Sequence, residues 1–280
     1  SLSHSKQYSY NYSSRDVDRS KSFTVSSITM GLSKRLSDPD FYMRLSHSFT
    51  FQYYNLDNYN TGLFTFGNGT SRNFNYTIEL TRDNRAKNPI YPTSGSLFSA
   101  SFRTTFPYSW VNGIDYATLG DKKEYKLTDA NGHYLDANGN VVDNYQDAAP
   151  DASKVDQKRF NWLEYYKVKF KADWYTKIYG DLVLRSLGEF GFMGAYNQDR
   201  GLVPFERFDV GGDGLANYAM DGRDVIQLRG YPNQSLSPVN SAGQQIGATI
   251  YNKFTLELRY PITLKQQATI YGLTFLEAGA

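Results

Sequence analysis

The residues with the clearest chemical potential are Gln227-Leu228-Arg229-Gly230-Tyr231-Pro232. They lie in an irregular segment, 197–247, of about 50 residues, far beyond the usual length of a connection. Arginine stays charged at any physiological pH and presents a planar fork of donors that matches carboxylates. Glu257 follows on a segment that alternates as a strand, on its charged face. This arrangement leads to the expectation that Arg229 docks inside a barrel and pairs with Glu257. The alternative is a solvated arginine beside a turn.

Other groups point away from catalysis. His4, His47 and His133 are scattered, which supports neither a metal site nor a histidine-based triad. Cysteine is absent, so thiolate metal sites and disulfides are excluded. Asp136, Asn138 and Asn140 have the spacing of a calcium loop, but Val141 stands where that loop needs glycine. With the repeated Asp-Ala-Asn-Gly at 129–132 and 136–139, turn chemistry in a protruding hairpin is the economical reading. Gly211-Gly212-Asp213-Gly214 lacks the strand–glycine–helix context of a phosphate loop. A net charge of +2 without a basic stripe gives no case for nucleic acid. No enzyme activity, cofactor or metal is expected.

The elements that must position Arg229 read as strands. Residues 41–53 alternate cleanly, with Phe41, Met43, Leu45, His47, Phe49, Phe51 and Tyr53 on one face. Residues 72–82 and 96–106 continue the pattern. In 161–174, Tyr166, Val168, Phe170, Ala172 and Trp174 oppose Lys167, Lys169, Lys171 and Asp173. Residues 177–196, 247–262 and 267–280 complete the set, while 22–36 is a strand whose phase slips at Ser26-Ser27. Residues 1–21 read as the end of a strand and a loop. They are polar throughout, and no signal peptide is expected. The sum is about eight strands in an antiparallel meander, with long loops 107–159 and 197–247 at one end and no helical periodicity.

A mean hydropathy of −0.56 and the lack of an apolar run long enough for a membrane helix would fit a water-soluble chain. That inference is unsafe, because a membrane barrel places its apolar residues in alternate positions. The 24 Tyr and 18 Phe against 3 Trp fit strands with aromatic belts. In such a barrel the lysine face of 161–174 would line a wet lumen.

Phe205-Glu206-Arg207-Phe208-Asp209-Val210-Gly211-Gly212 followed by Leu228-Arg229-Gly230-Tyr231 resembles the sixth extracellular loop of the BamA superfamily of outer-membrane assembly barrels. Leu228 stands where that motif usually has valine. Residues 256–261, 275–279 and 82–96 resemble the following strand, the next strand and a periplasmic turn. The resemblance implies an all-β, antiparallel, transmembrane barrel of outer-membrane type, of which 1–280 is a part. A whole member would have about sixteen strands, with about five before Ser1 and about three after Ala280, and preceding POTRA domains.

The resemblance further implies that Arg229 enters the lumen and pairs with Glu257 and Glu277, while Phe205, Phe208, Gly211 and Gly212 scaffold the loop. Glu206 and Asp209 read as loop charges near the extracellular cap. The implied function is assembly of client β-barrel proteins in the outer membrane, with outer-membrane lipids and accessory subunits as partners. A two-partner secretion pore or a TamA-like translocation factor is the alternative. A soluble β-sandwich binding module fits less well.

Overall fold

The computed structural model describes residues 1–11, 15–59, 65–85, 88, 90–213, 223–240, 243, 245–265 and 267–280, the Phe205 side chain apart. Alternation over long runs forces extended chain, and the result is one large antiparallel sheet. Its strands are β1 (Leu2–Asn11), β2 (Asp16–Arg35), β3 (Met43–Asp57), β4 (Gly69–Asp83) and β5 (Gly95–Thr105). Two short strands, β6 (Tyr134–Leu135) and β7 (Val141–Val142), form a separate hairpin, and α1 (Ala152–Arg159) follows. The wall resumes with β8 (Tyr166–Tyr179) and β9 (Leu182–Gly194). Next come the three-residue β10 (Phe208–Val210) and β11 (Asp224–Ile226), then β12 (Ile250–Lys265) and β13 (Ala268–Gly279).

The nine-stranded order is β1-β2-β3-β4-β5-β8-β9-β12-β13, so every neighbour is the next wall strand in sequence. The wall strands run 10 to 20 residues, enough to cross a bilayer when tilted. Sequence reading finds about eight of them. The ninth comes from the serine- and tyrosine-rich start, where β1 and the first residues of β2 pair with a register shift at Tyr8/Ser9. A broken alternation hides that hairpin from any period-two search.

Burial along the strands is inverted relative to a soluble sheet. In β12, Ile250, Phe254, Leu256, Leu258 and Tyr260 are exposed while Lys253, Thr255, Glu257 and Arg259 are buried. The same inversion holds in β8, where Val168, Phe170 and Trp174 are exposed and Lys167 and Asp173 buried. An exposed apolar face of this extent is a lipid-facing surface, and the charged face lines the lumen of a partial outer-membrane-type barrel.

The main apolar core sits between the lumen side of the wall and the loops. Phe23, Val25, Tyr54, Leu56 and Phe66 pack there with Leu163, Tyr165, Met193, Phe208, Val210, Leu228 and Tyr251. The apparent phase slip at Ser26-Ser27 is explained by this core. Phe23 and Val25 pair with Leu56 and Tyr54 and point inward under the loops, whereas Ile28, Met30 and Leu32 further down point outward. Strand parity is continuous, and only the face that is apolar changes.

The loop 107–159 contains the expected hairpin, β6–β7. Asp129 accepts from the backbone N–H of Asn131 and His133, and Asp136 from those of Asn138 and Asn140. Among the described residues no cluster of metal-ligating side chains forms. The loop also contains a helix that periodicity does not reveal. Asp151 caps α1 by accepting from Ser153 and Lys154, and only Val155 of its eight residues is buried. One buried position leaves no amphipathic stripe to read.

Because the outer face meets lipid, Leu256→Arg should destabilise the barrel by about 2–4 kcal/mol near the bilayer midplane. Denaturant titration of the folded protein in lipid measures this. A near-neutral result would contradict the assignment of faces.

Candidate functional site

Arg229 reaches the lumen face of β12 and β13. Its backbone N–H donates to Glu277 Oε1 at 2.8 Å, and its Nε and Nη2 donate to Glu277 Oε2 at 3.1 and 2.8 Å. Nη2 also donates to Glu257 Oε1 at 2.7 Å. The guanidinium carbon lies 3.8 Å from the centre of the Phe275 ring. Strand register explains the convergence. Glu257 faces Phe275 and Thr255 faces Glu277 across the β12–β13 ladder, so the two acids are diagonal neighbours on one face. The direction of Glu277, which weak alternation in 267–280 leaves open, is settled as inward.

The two acids differ in their other partners. Glu257 Oε2 also accepts from Arg259 Nε at 2.8 Å and Arg185 Nη1 at 3.3 Å. Arg185 in turn forks onto Asp173 at 2.8 and 3.0 Å. Glu277 has Thr255 Oγ1 at 3.0 Å and, among the described residues, only Lys253 Nζ at 3.7 Å as a further cation. Lys253 donates to the Gln227 carbonyl at 2.6 Å. Glu277 therefore depends on Arg229 far more than Glu257 does. Both carboxylates are 2% exposed, and a carboxylate that deep needs charged donors to offset its lost hydration.

The residues around Arg229 shape the turn that delivers it. Leu228 is fully buried, and its N–H donates to the Gly212 carbonyl at 2.9 Å. A Cβ on Gly279 would come within 2.7 Å of Leu228 Cδ1, so the small residue on β13 makes room for the leucine. Gly211 and Gly212 have φ of +116° and +93°, and a Cβ on either would strike Pro232 or Asn233 in the turn after Arg229. The Gly-Gly pair thus lets the two halves of the loop close on each other. Gly230 also has positive φ, and Tyr231 is partly exposed with its N–H on the Leu228 carbonyl at 3.3 Å. Phe208 is fully buried edge-on to Tyr251, at 4.7 Å between centroids. The Phe205 side chain and Gly214 lie outside the described residues.

Glu206 and Asp209 lie on the long loop, as the sequence reading expects, but both are buried rather than solvated. Glu206 is 1% exposed and accepts from Asn73 Nδ2 at 3.1 Å, Lys167 Nζ at 3.2 Å and Arg103 Nη1 at 3.3 Å. Those donors come from β4, β8 and β5. Asp209 is also buried and accepts from Gln234 Nε2 at 2.9 Å and Arg223 Nη1 at 3.2 Å. Asp224 on β11 binds Lys167 and Lys169 at 3.1 and 3.2 Å. The lysine series thus lies on the lumen side, with Lys171 on Glu189 at 2.9 Å. The long loop is clamped to the wall at two places, one acidic on the wall and one basic.

Sequence reasoning singles out Arg229, Glu257 and Glu277, and the structure brings these three together. It misses Arg185, Arg259, Asp173, Lys253 and Thr255, which complete the network. The available signal was their shared parity with Glu257 on the charged faces of β8, β9 and β12.

The family described as the Omp85 superfamily domain matches residues 2–280. Among solved structures, BamA from Haemophilus ducreyi lacking POTRA domains 1–3 aligns with a TM-score of 0.52 and 14% identity. The alignment covers 92% of this chain and 41% of that one, so the chain spans well under half of the relative's length. No curated protein gives a match.

Arg229→Ala should leave Glu277 buried without its main donor and loosen the loop by on the order of 2–3 kcal/mol, read as faster protease cleavage in 197–247. Wild-type protease resistance would remove the case for docking. An Arg229→Glu/Glu257→Arg exchange should fail to restore resistance, because the new arginine would face Arg185 and Arg259; Arg229→Glu/Glu277→Arg should restore part of it. Equal rescue by both exchanges would show that the asymmetry is wrong.

The second clamp is acid-sensitive. Burial alone would raise the Asp224 carboxyl, but Lys167 and Lys169 beside it hold it below the ordinary carboxylate value. A depressed carboxylate stabilises at neutral pH, and that contribution is lost as pH falls below about 4 through the folded value. Amide exchange at β11 should rise in that range, and Asp224→Asn should remove the step. An unchanged step in Asp224→Asn would place its origin elsewhere.

Proposed function

The chain belongs to the Omp85 superfamily, and on that premise we propose that it is the barrel part of an outer-membrane insertase. In this reading it folds client β-barrel proteins into the bilayer without nucleotide or a catalytic side chain. Arg229 serves as the conformational lock of the long loop, with Glu257 and Glu277 as its lumen acids. Leu228, Gly230 and Tyr231 form the turn that presents it, while Phe208, Gly211 and Gly212 brace the loop. Phe205 is proposed for the same bracing role by its place in the motif.

The observation that carries this reading is the pinning of one loop to the wall by Arg229. A buried ionic network of this kind fixes geometry more than it adds stability. It keeps the loop in the lumen, where Glu206 and Asp224 occupy the charged wall of β5 and β8. Among the described residues, two cavities remain between loop and wall, one of about 350 Å³ lined by Arg103, Lys169 and Glu189 among others, and one of about 470 Å³ beside Arg229. A loop pinned against the wall favours work on clients at the strands and the surrounding bilayer over threading them past that wall. Strand addition supplies the chemistry, since an unpaired strand edge recruits an incoming strand by backbone hydrogen bonds. Accessory subunits and outer-membrane lipids are the partners this role calls for.

The test is client folding. The full-length protein in phospholipid vesicles should accelerate the heat-modifiable gel shift of a small unfolded outer-membrane barrel, and Arg229→Ala should lower that rate. No acceleration, together with passage of an unfolded secreted polypeptide across the vesicle, would favour the secretion-pore alternative instead.

A further inference from the structure

The lipid-facing surface does not stop where the wall strands stop. On β3 and β4 the outward face ends in Phe51, Phe74 and Arg72. Above it stands Trp162, a loop residue, 6.5 Å from Phe51 between ring centres. The Arg72 guanidinium lies 5.7 Å from the Trp162 ring centre and 5.8 Å from that of Tyr53. Tyr108 packs on Trp162 at 5.1 Å, and Phe106 on Tyr108 at 5.2 Å. On the other side, Trp110 meets Tyr196 at 5.7 Å, Tyr196 meets Tyr166 at 5.3 Å, and Tyr166 meets Phe192 on the outward face of β9. An unbroken aromatic surface therefore climbs from the wall onto the segment after β5. Its tip is bare: Trp110 is 69% and Val111 70% exposed.

We propose that residues 106–111, backed by Trp162 and Tyr196, are an interfacial anchor that seats the extracellular cap in the headgroup region of the outer leaflet. The occupant is the lipid–water interface, because the patch is continuous with the surface that already faces lipid. Tryptophan and tyrosine partition to that zone, where an apolar body and a polar edge are both satisfied. Arg72 adds a cation at the height of lipid phosphates, braced by two rings.

The anchor is wired to the lumen loop. Ser109 donates through its backbone N–H and its Oγ to Glu164 at 2.7 and 2.5 Å. Glu164 accepts from Arg200 Nη1 at 2.6 Å, and Arg200 Nε donates to the Arg159 carbonyl at 2.8 Å. Arg200 belongs to the same long loop that carries Arg229. The depth of 106–111 in the bilayer thus sets the position of the outer end of that loop.

Trp110 is itself a fluorophore and allows a direct measurement. In the full-length protein reconstituted in phosphatidylcholine vesicles, the emission lost on Trp110→Phe reports Trp110 alone, and lipid brominated near the headgroup end of its chains should remove about half of that difference signal. Aqueous acrylamide should quench it weakly. Quenching by acrylamide as strong as for free indole, with none from bromolipid, would overturn the anchor and leave the patch to a protein partner. Should Trp110→Phe not fold, Trp110→Tyr gives the same difference measurement and the same two outcomes.

Discussion

A carboxylate inside a membrane barrel must find a cation or lose its charge, and two of them converge on Arg229. This constraint organises the lumen. Glu257 is shared among three arginines, whereas Glu277 relies on Arg229, with Lys253 more distant. Placing the arginine requires a buried leucine before it, a tight turn after it and a glycine on β13 that leaves room. Those needs account for most of the unusual residues between Gly211 and Gly279.

The loop is held by two clamps of opposite polarity. At one, a loop cation enters an acidic wall; at the other, the loop acids Glu206 and Asp224 enter a basic wall formed by Arg103, Lys167 and Lys169. A loop with only one kind of charge would slide along the wall to any matching group. With both kinds, a shift in either direction sets like charges against each other, so the register of the loop is specified electrostatically.

The alternating runs made the wall legible in the sequence, and the shared parity of Glu257 with its charged neighbours made the lumen legible. The beginning of the chain was not, because β1 and the first residues of β2 carry a register shift and few apolar residues. The burial of Glu206 has no sequence signal, because its partners Asn73, Arg103 and Lys167 are far away in sequence and a loop charge has no period that declares its direction. Helix α1 was missed for a related reason: a helix with one buried side chain has a cap but no stripe.

The inward turn of Phe23, Val25, Tyr54 and Leu56 means that each of these strands is written for two surroundings in succession. Toward the short turns a strand separates lipid from water; toward the long loops it separates lipid from a protein core. Inserting one residue would swap the faces, as in any sheet. Inserting two would keep the faces but slide the boundary by about 6.6 Å along the strand, carrying apolar residues into the wet lumen or charges into the core. Bilayer thickness alone would tolerate that change through tilt. The length of these wall strands is therefore dictated by what they enclose, and it should vary only in step with the loops.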